Sequence, residues 1–140
     1  MSDRRDFITA GLMGLAASLI ATRDAGAAPS SKPLAQKDAP RVNLDGWQMT
    51  ATEVSYPPGE ASGQHRHPGF VIGYVLEGQY RFAVNDQAPA VFSQGQMFFE
   101  SFEGPGDVHS TSGNASTTQP AKILAIVFTK KGDPVTIPGA

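Results

Sequence analysis

The sequence predicts an all-β domain, a sandwich or a barrel, and three observations predict it. From Val42 onward the chain breaks into short segments rich in Val, Ile, Phe, Tyr and Thr, separated by Gly, Pro, Asn and Asp. That is the composition of strands punctuated by turns. No stretch after residue 42 carries an apolar stripe at helical spacing. The 140 residues suffice for one domain around one core, and no internal repeat is present.

The elements follow in chain order. Arg4-Arg5-Asp6-Phe7-Ile8 is a twin-arginine pair followed by apolar residues, and Gly11 to Ala21 is an apolar run rich in Gly and Ala. Ala25-Gly26-Ala27 then offers small residues at cleavage-type spacing. This order resembles a twin-arginine (Tat) export signal over residues 1–27, and the apolar run is short for an ordinary transmembrane helix. The expectation is an exported, periplasmic protein with no stable membrane association after cleavage. Residues 28–41 mix Pro, Ser, Lys and Ala without periodicity and read as a flexible linker or arm. Residues 42–140 form the β-domain.

Strands are expected at Trp47–Tyr56, Val71–Leu76, Gln79–Val84, Ala90–Phe92, Met97–Glu100, Val108–Ser112 and Ile123–Thr129. Glu77-Gly78 reads as a tight hairpin turn and Asn85-Asp86 as the next turn. In Gln79–Val84 the side chains of Tyr80, Phe82 and Val84 share one face, the one expected to pack inward. Ile123–Phe128 is almost wholly apolar and reads as a strand buried on both faces.

Composition narrows the function. The formal net charge is −2, and residues 1–27 carry three Arg and three Asp that cancel. There is no basic patch for nucleic acid. With no cysteine, disulfides, thiolate ligands and thiol nucleophiles are excluded. The chain has three histidines, His65 and His67 as a His-x-His pair and His109 alone. Imidazole is the most versatile protein ligand for Fe, Mn, Zn, Ni or Cu. In a strand, His-x-His presents both rings on one face, so a third ring from a distant strand would complete a three-point site.

The run Gly59, five residues, His65-Arg66-His67, then Gly73-Tyr74-Val75-Leu76-Glu77-Gly78, resembles the first motif of the cupin family. Gly95, Gly106-Asp107-Val108-His109 and Asn114 resemble the second motif more loosely. The resemblance covers about residues 47–129. It implies a single-domain cupin barrel (double-stranded β-helix, or jelly roll). It also implies a divalent metal ion on His65, His67 and His109, a small-molecule ligand or substrate, and a homodimer. There are two departures. The family's Glu, separated from Gly78 by six residues, is Val71 here. The Gly95–His109 spacing is about three residues long, with the excess in Ser101-Phe102-Glu103-Gly104-Pro105.

The missing Glu changes the charge logic. Three neutral imidazoles leave a divalent ion with its full +2, which favours anionic chelators such as enolates, catecholates or carboxylates. Glu100 and Glu103 are candidates for a substitute fourth ligand or for an acid/base near the metal. A regular strand would turn Gln64 and Arg66 away from the cavity. Tyr56 and Tyr74 either line it or pack. Trp47, Phe92, Phe98, Phe99 and Phe102 read as core or cavity wall. Asp107 reads as a loop-orienting residue with an Asx-type bond. The leading expectation is a metal-dependent oxidoreductase of dioxygenase type acting on a small enolic or aromatic substrate. The alternatives are a non-catalytic binding or sensor cupin, and a metal-dependent isomerase or lyase.

Overall fold

The computed structural model describes residues 26, 28–101 and 106–139. Among these the chain forms nine strands and no helix. They are β1 (Trp47–Tyr56), β2 (His65–Arg66), β3 (Gly69–Glu77), β4 (Gln79–Val84), β5 (Ala90–Ser93), β6 (Met97–Glu100), β7 (Val108–Asn114), β8 (Ala121–Lys130) and β9 (Ile137–Pro138). They build two antiparallel sheets, one in the order β1-β8-β3-β6 and the other in the order β5-β4-β7-β2-β9. The export-signal reading at residues 1–27, Phe102 and Glu103 lie outside the described residues, save Gly26.

The core lies between the inward faces of the two sheets. Tyr80, Phe82 and Val84 are buried, the face expected from their alternation, and they meet Tyr56, Val75, Phe98 and Ile123. Phe98 sits against Tyr80 and Phe82, with ring centroids at 4.8 and 4.9 Å. Each such burial contributes about 1.5–3 kcal/mol. Phe98 is the cross-strand partner of Gly73, and a Cβ at position 73 would land in its ring. Glycine is therefore what lets an aromatic ring lie across β3.

Two expectations are corrected. Glu77-Gly78 is not a hairpin turn, because β3 and β4 belong to different sheets. It is a corner at which the chain crosses from one sheet to the other. Gly78 makes that corner with a φ of 71°, hard against the Pro120 carbonyl. The strand at 121–130 is also not buried on both faces. Ile123, Val127 and Thr129 point inward and are buried, whereas Leu124, Ile126 and Phe128 share the outward face and stay partly exposed. There they meet Phe70, which stacks on Phe128 with centroids 4.5 Å apart, and Trp47, 6.0 Å from Phe70. The run is apolar throughout because its outward residues pack against neighbours on the same face rather than against a second layer.

Residues 32–140 form one compact unit. Lys37 holds its ammonium 5.8 Å from the centre of the Phe99 ring, within reach of a cation–π attraction. Residues 37–41 line a hollow of about 580 Å³ with Phe70, Ile72 and Phe99.

Candidate metal centre

The His-x-His pair begins in a strand of only two residues. β2 is held between β7 and β9, and His65 is the direct antiparallel partner of His109 on one side and of Pro138 on the other. That register brings together two histidines 44 residues apart in sequence. His67 follows the strand's end, its ring 5.2 Å from that of His65 and nearly perpendicular to it. One nitrogen from each of the three rings lies within 4.8 Å of the others.

The hydrogen bonds around the rings set their tautomers. His65 Nδ1 is 2.8 Å from the Gly63 carbonyl and His67 Nδ1 is 2.6 Å from the Val135 carbonyl. A carbonyl only accepts, so each Nδ1 carries the proton and each Nε2 presents a lone pair. His109 uses its ring the other way round. Its Nδ1 lies 3.2 Å from His65 Nε2, and its Nε2 lies 3.1 Å from the Tyr80 hydroxyl. Behind Tyr80 the hydroxyls run on to Ser112 at 2.8 Å, from Ser112 to Tyr56 at 2.7 Å and from Tyr56 to Ser62 at 3.0 Å. The Tyr80 hydroxyl can donate to Nε2 or accept from it; in the tautomer with the proton on Nε2, His109 Nδ1 is bare and faces the His65 lone pair.

His109 and His67 are held toward the neutral form. Burial pushes His109 down to about 3, helped by His65 and His67 nearby. Burial also lowers His67, against the opposing Val135 bond. Burial raises Tyr80 far above the usual phenol range, so its hydroxyl keeps its proton.

Glu100 lies beside His109, outside the group of three ligand atoms. It is 4% exposed, and its Oε1 lies 3.2 Å from His109 Nδ1. Burial, then the charge of Asp107, pushes its carboxyl up to about 8. The contact is therefore between a neutral imidazole and a neutral acid, not an ion pair. Glu100 Oε2 is buried with no hydrogen-bond partner.

This donor set fits a divalent first-row ion. His65, His67 and His109 would hold it, with lone pairs fixed by bonds on the far side of two rings. Ligand atoms about 2.0–2.2 Å from one ion stand about 2.9–3.5 Å apart at octahedral or tetrahedral angles. The 3.2 Å between His65 Nε2 and His109 Nδ1 is such an edge.

The rings line a cavity of about 370 Å³, with apolar walls from Val54, Tyr80, Phe98, Ile123 and Val127. The larger hollow beneath residues 37–41 contains none of the three rings. Tyr56 both packs in the core and lines the cavity, whereas Tyr74 lies on the outward face with Leu124. Phe98 is wall, Phe92 packs behind it, and Trp47 and Phe99 lie outside the barrel. Gln64 contributes to the cavity rim, since the chain has not yet entered β2 there, while Arg66 does not line the cavity.

Asp107 orients its loop across a longer span than an Asx turn. It accepts from the Ser101 amide and from Asn85 Nδ2, both at 2.8 Å. Asn114 is a structural pin whose Nδ2 lies within 3.2 Å of the Tyr56, Pro57 and Gln119 carbonyls. Sequence reasoning passed over Ser112, Ser62 and Val135. The first two were legible only as polar residues near motif positions, and Val135 acts through its backbone, which leaves no side-chain signal.

The comparisons agree with this architecture. A family profile described as a cupin domain matches residues 52–127. Among solved structures, the chain is similar to an uncharacterised Klebsiella pneumoniae protein with a double-stranded β-helix domain. The identity is 15%, covering 66% of this chain and 75% of that one, at a TM-score of 0.53. It is also similar to a DMSP lyase from Ruegeria pomeroyi at 21% identity, covering 64% and 42%, with a TM-score of 0.51. A Bacillus subtilis oxalate decarboxylase is 18% identical, covering 64% and 23%, with a TM-score of 0.52. The chain thus spans under half of the lyase and under a quarter of the decarboxylase. These likenesses show a shared fold. No curated protein matches the chain. With the profile covering more than half of the sequence, on two antiparallel sheets that enclose the three histidines, the chain belongs to the cupin family.

Proposed function

We propose that this chain is an exported metal-dependent enzyme, an oxidoreductase of dioxygenase type acting on a small enolic or aromatic substrate. The observation that carries the metal reading is the convergence of three imidazole nitrogens, two with their far-side protons clamped by backbone carbonyls. A bound divalent ion would supply Lewis acidity and open positions for a chelating substrate. The protein's own part is to present lone pairs and to exclude water with apolar walls. Those walls, around about 370 Å³, support a small, partly hydrophobic substrate. A Bacillus subtilis oxalate decarboxylase of this fold has Mn(II) centres, which supports a redox-capable ion here.

The test begins with metal analysis of protein purified without a chelator. One equivalent of a transition metal is expected. Less than about a tenth of an equivalent, with no uptake on reconstitution, overturns the reading. Oxygen consumption with diketones, flavonols and catechols then tests the reaction class. Export is tested by following a reporter fused to residues 1–27, with and without Arg4 and Arg5 changed to Lys. Light scattering tests the homodimer, for which the outward apolar face carrying Met49, 63% exposed, offers a surface.

A metal-dependent lyase or isomerase is the second reading. It is favoured by Glu100, a buried carboxyl held in its acid form beside the rings. Turnover without oxygen would select it.

A further inference from the structure

We infer that Glu100 is the carboxylate ligand of the metal centre, carried on β6 because position 71 on β3 holds valine. The inference rests on the three-histidine reading above and deepens it.

The ladder supplies the first argument. Val71 and Glu100 are direct cross-strand partners in the β3–β6 pair. Both are inward-facing and buried, at 1% and 4% exposure. Directly opposed residues in an antiparallel pair have Cβ atoms about 4.5–5.5 Å apart. A carboxylate moved from position 71 to position 100 therefore shifts by one strand and stays on the same face of the same sheet. Glutamate's two methylenes give it the reach to recover that distance.

The second argument is the fate of the carboxyl's partners. Glu100 Oε1 faces His109 Nδ1, the nitrogen that also faces His65 Nε2. If His109 ligates through Nδ1, that nitrogen carries no proton, and its one proton sits on Nε2 against Tyr80. As a neutral acid Glu100 satisfies Oε1 by donating its own proton to that nitrogen, whereas Oε2 is buried without a partner. A buried carboxyl oxygen without a donor is costly, and a cation bound there in place of the acid's proton would remove that cost. The 3.2 Å from Glu100 Oε1 to His109 Nδ1 equals the His65–His109 edge, and since Glu100 is not in the group whose ligand atoms lie within 4.8 Å of one another, its side chain must swing toward His65 and His67 to share their ion.

The consequence is electrostatic. Three neutral imidazoles and one carboxylate leave a divalent ion with net +1 rather than +2. The site is a weaker anion trap than its sequence motif implies. As a ligand Glu100 carries no proton for a substrate, which favours the oxygen-dependent reading over the lyase.

The experiment uses the full chain, stripped with a chelator and titrated with Co(II). It compares wild type, Glu100→Gln, and the exchange Val71→Glu with Glu100→Val. Visible absorption reports coordination, a competing chromophoric chelator reports affinity, and far-UV circular dichroism reports folding. Glu100→Gln is expected to keep the fold, lose Co(II) affinity by about tenfold or more and change the visible spectrum. The exchange, which returns the carboxylate to β3, is expected to recover most of that affinity. A Glu100→Gln protein with wild-type affinity and spectrum overturns the inference and leaves the three-histidine centre standing. If Glu100→Gln does not fold, the exchange variant decides. Recovered Co(II) binding upholds the inference, and a folded exchange variant that binds no better than Val71→Ala/Glu100→Val overturns it. A wild-type chain that takes up no Co(II) overturns the metal reading itself, and the inference with it.

Discussion

Val71 and Glu100 face each other across the β3–β6 ladder, a hydrophobic residue where the family motif calls for a carboxylate and a carboxylate where a hydrophobic strand would end in apolar packing. Each is buried on the inward face. The candidate metal centre draws His65 from β2, His67 from just beyond it and His109 from β7, and Glu100 reaches His109 from β6.

Replacing His109 by Ala removes the residue on which the other contacts converge, since its ring meets His65, Glu100 and Tyr80. Metal affinity is expected to fall by about 100-fold or more. Metal analysis after gel filtration checks this, and retention of a full equivalent would refute a three-point site.

Tyr80→Phe leaves His109 Nε2 without its hydroxyl, while Ser112 keeps Tyr56. The loss is expected to cost about 1–3 kcal/mol of stability in denaturant unfolding. It should also weaken metal binding by about tenfold, because the ring loses the group that fixes its tautomer. Unchanged affinity would show that Tyr80 only packs.

Stability of the metal-free protein should depend on pH through Glu100 in one direction and through His109 and His67 in the other. Glu100 is raised to about 8 from 4.5, so the folded state holds its proton more tightly. Its contribution is complete in acid and is lost as pH rises from 4.5 through 8. His109 is lowered to about 3 from 6.5, so the unfolded state binds the extra proton. Its contribution is complete above 6.5 and is lost as pH falls toward 3. Between 4.5 and 6.5 the Glu100 slope opposes those of His109 and the lowered His67. Urea titrations across this range on wild type and Glu100→Gln isolate the first term. The variant should lack the decline above pH 6.5, and parallel curves would contradict a protonated Glu100.

Gly73→Ala should destabilise by about 1–3 kcal/mol, because the new methyl group falls within the Phe98 ring and forces it out of its place. Thermal unfolding checks the direction. A neutral result would mean that the β3–β6 pair yields without cost.

The inward face of β4, the bounds of β1, β4 and β6, and the three histidines were legible in the sequence because each rests on local chemistry. Alternation marks a half-buried strand, and imidazoles in His-x-His spacing mark a ligand pair. The corner at Glu77-Gly78 was not legible, since glycine at positive φ serves a hairpin and a sheet crossing equally well. Nor were β2 and β9, two residues each, which are too short to carry a periodicity.

What the sequence determined by itself was the class of fold and which three imidazoles are candidate metal ligands, because burial patterns and ligand chemistry are written in residue types. What only the tertiary structure decided was what Glu100 faces. The antiparallel register of β3 and β6 sets it opposite Val71 on the buried face and within 3.2 Å of His109. Register is a property of two strands held together, so no single segment contains it.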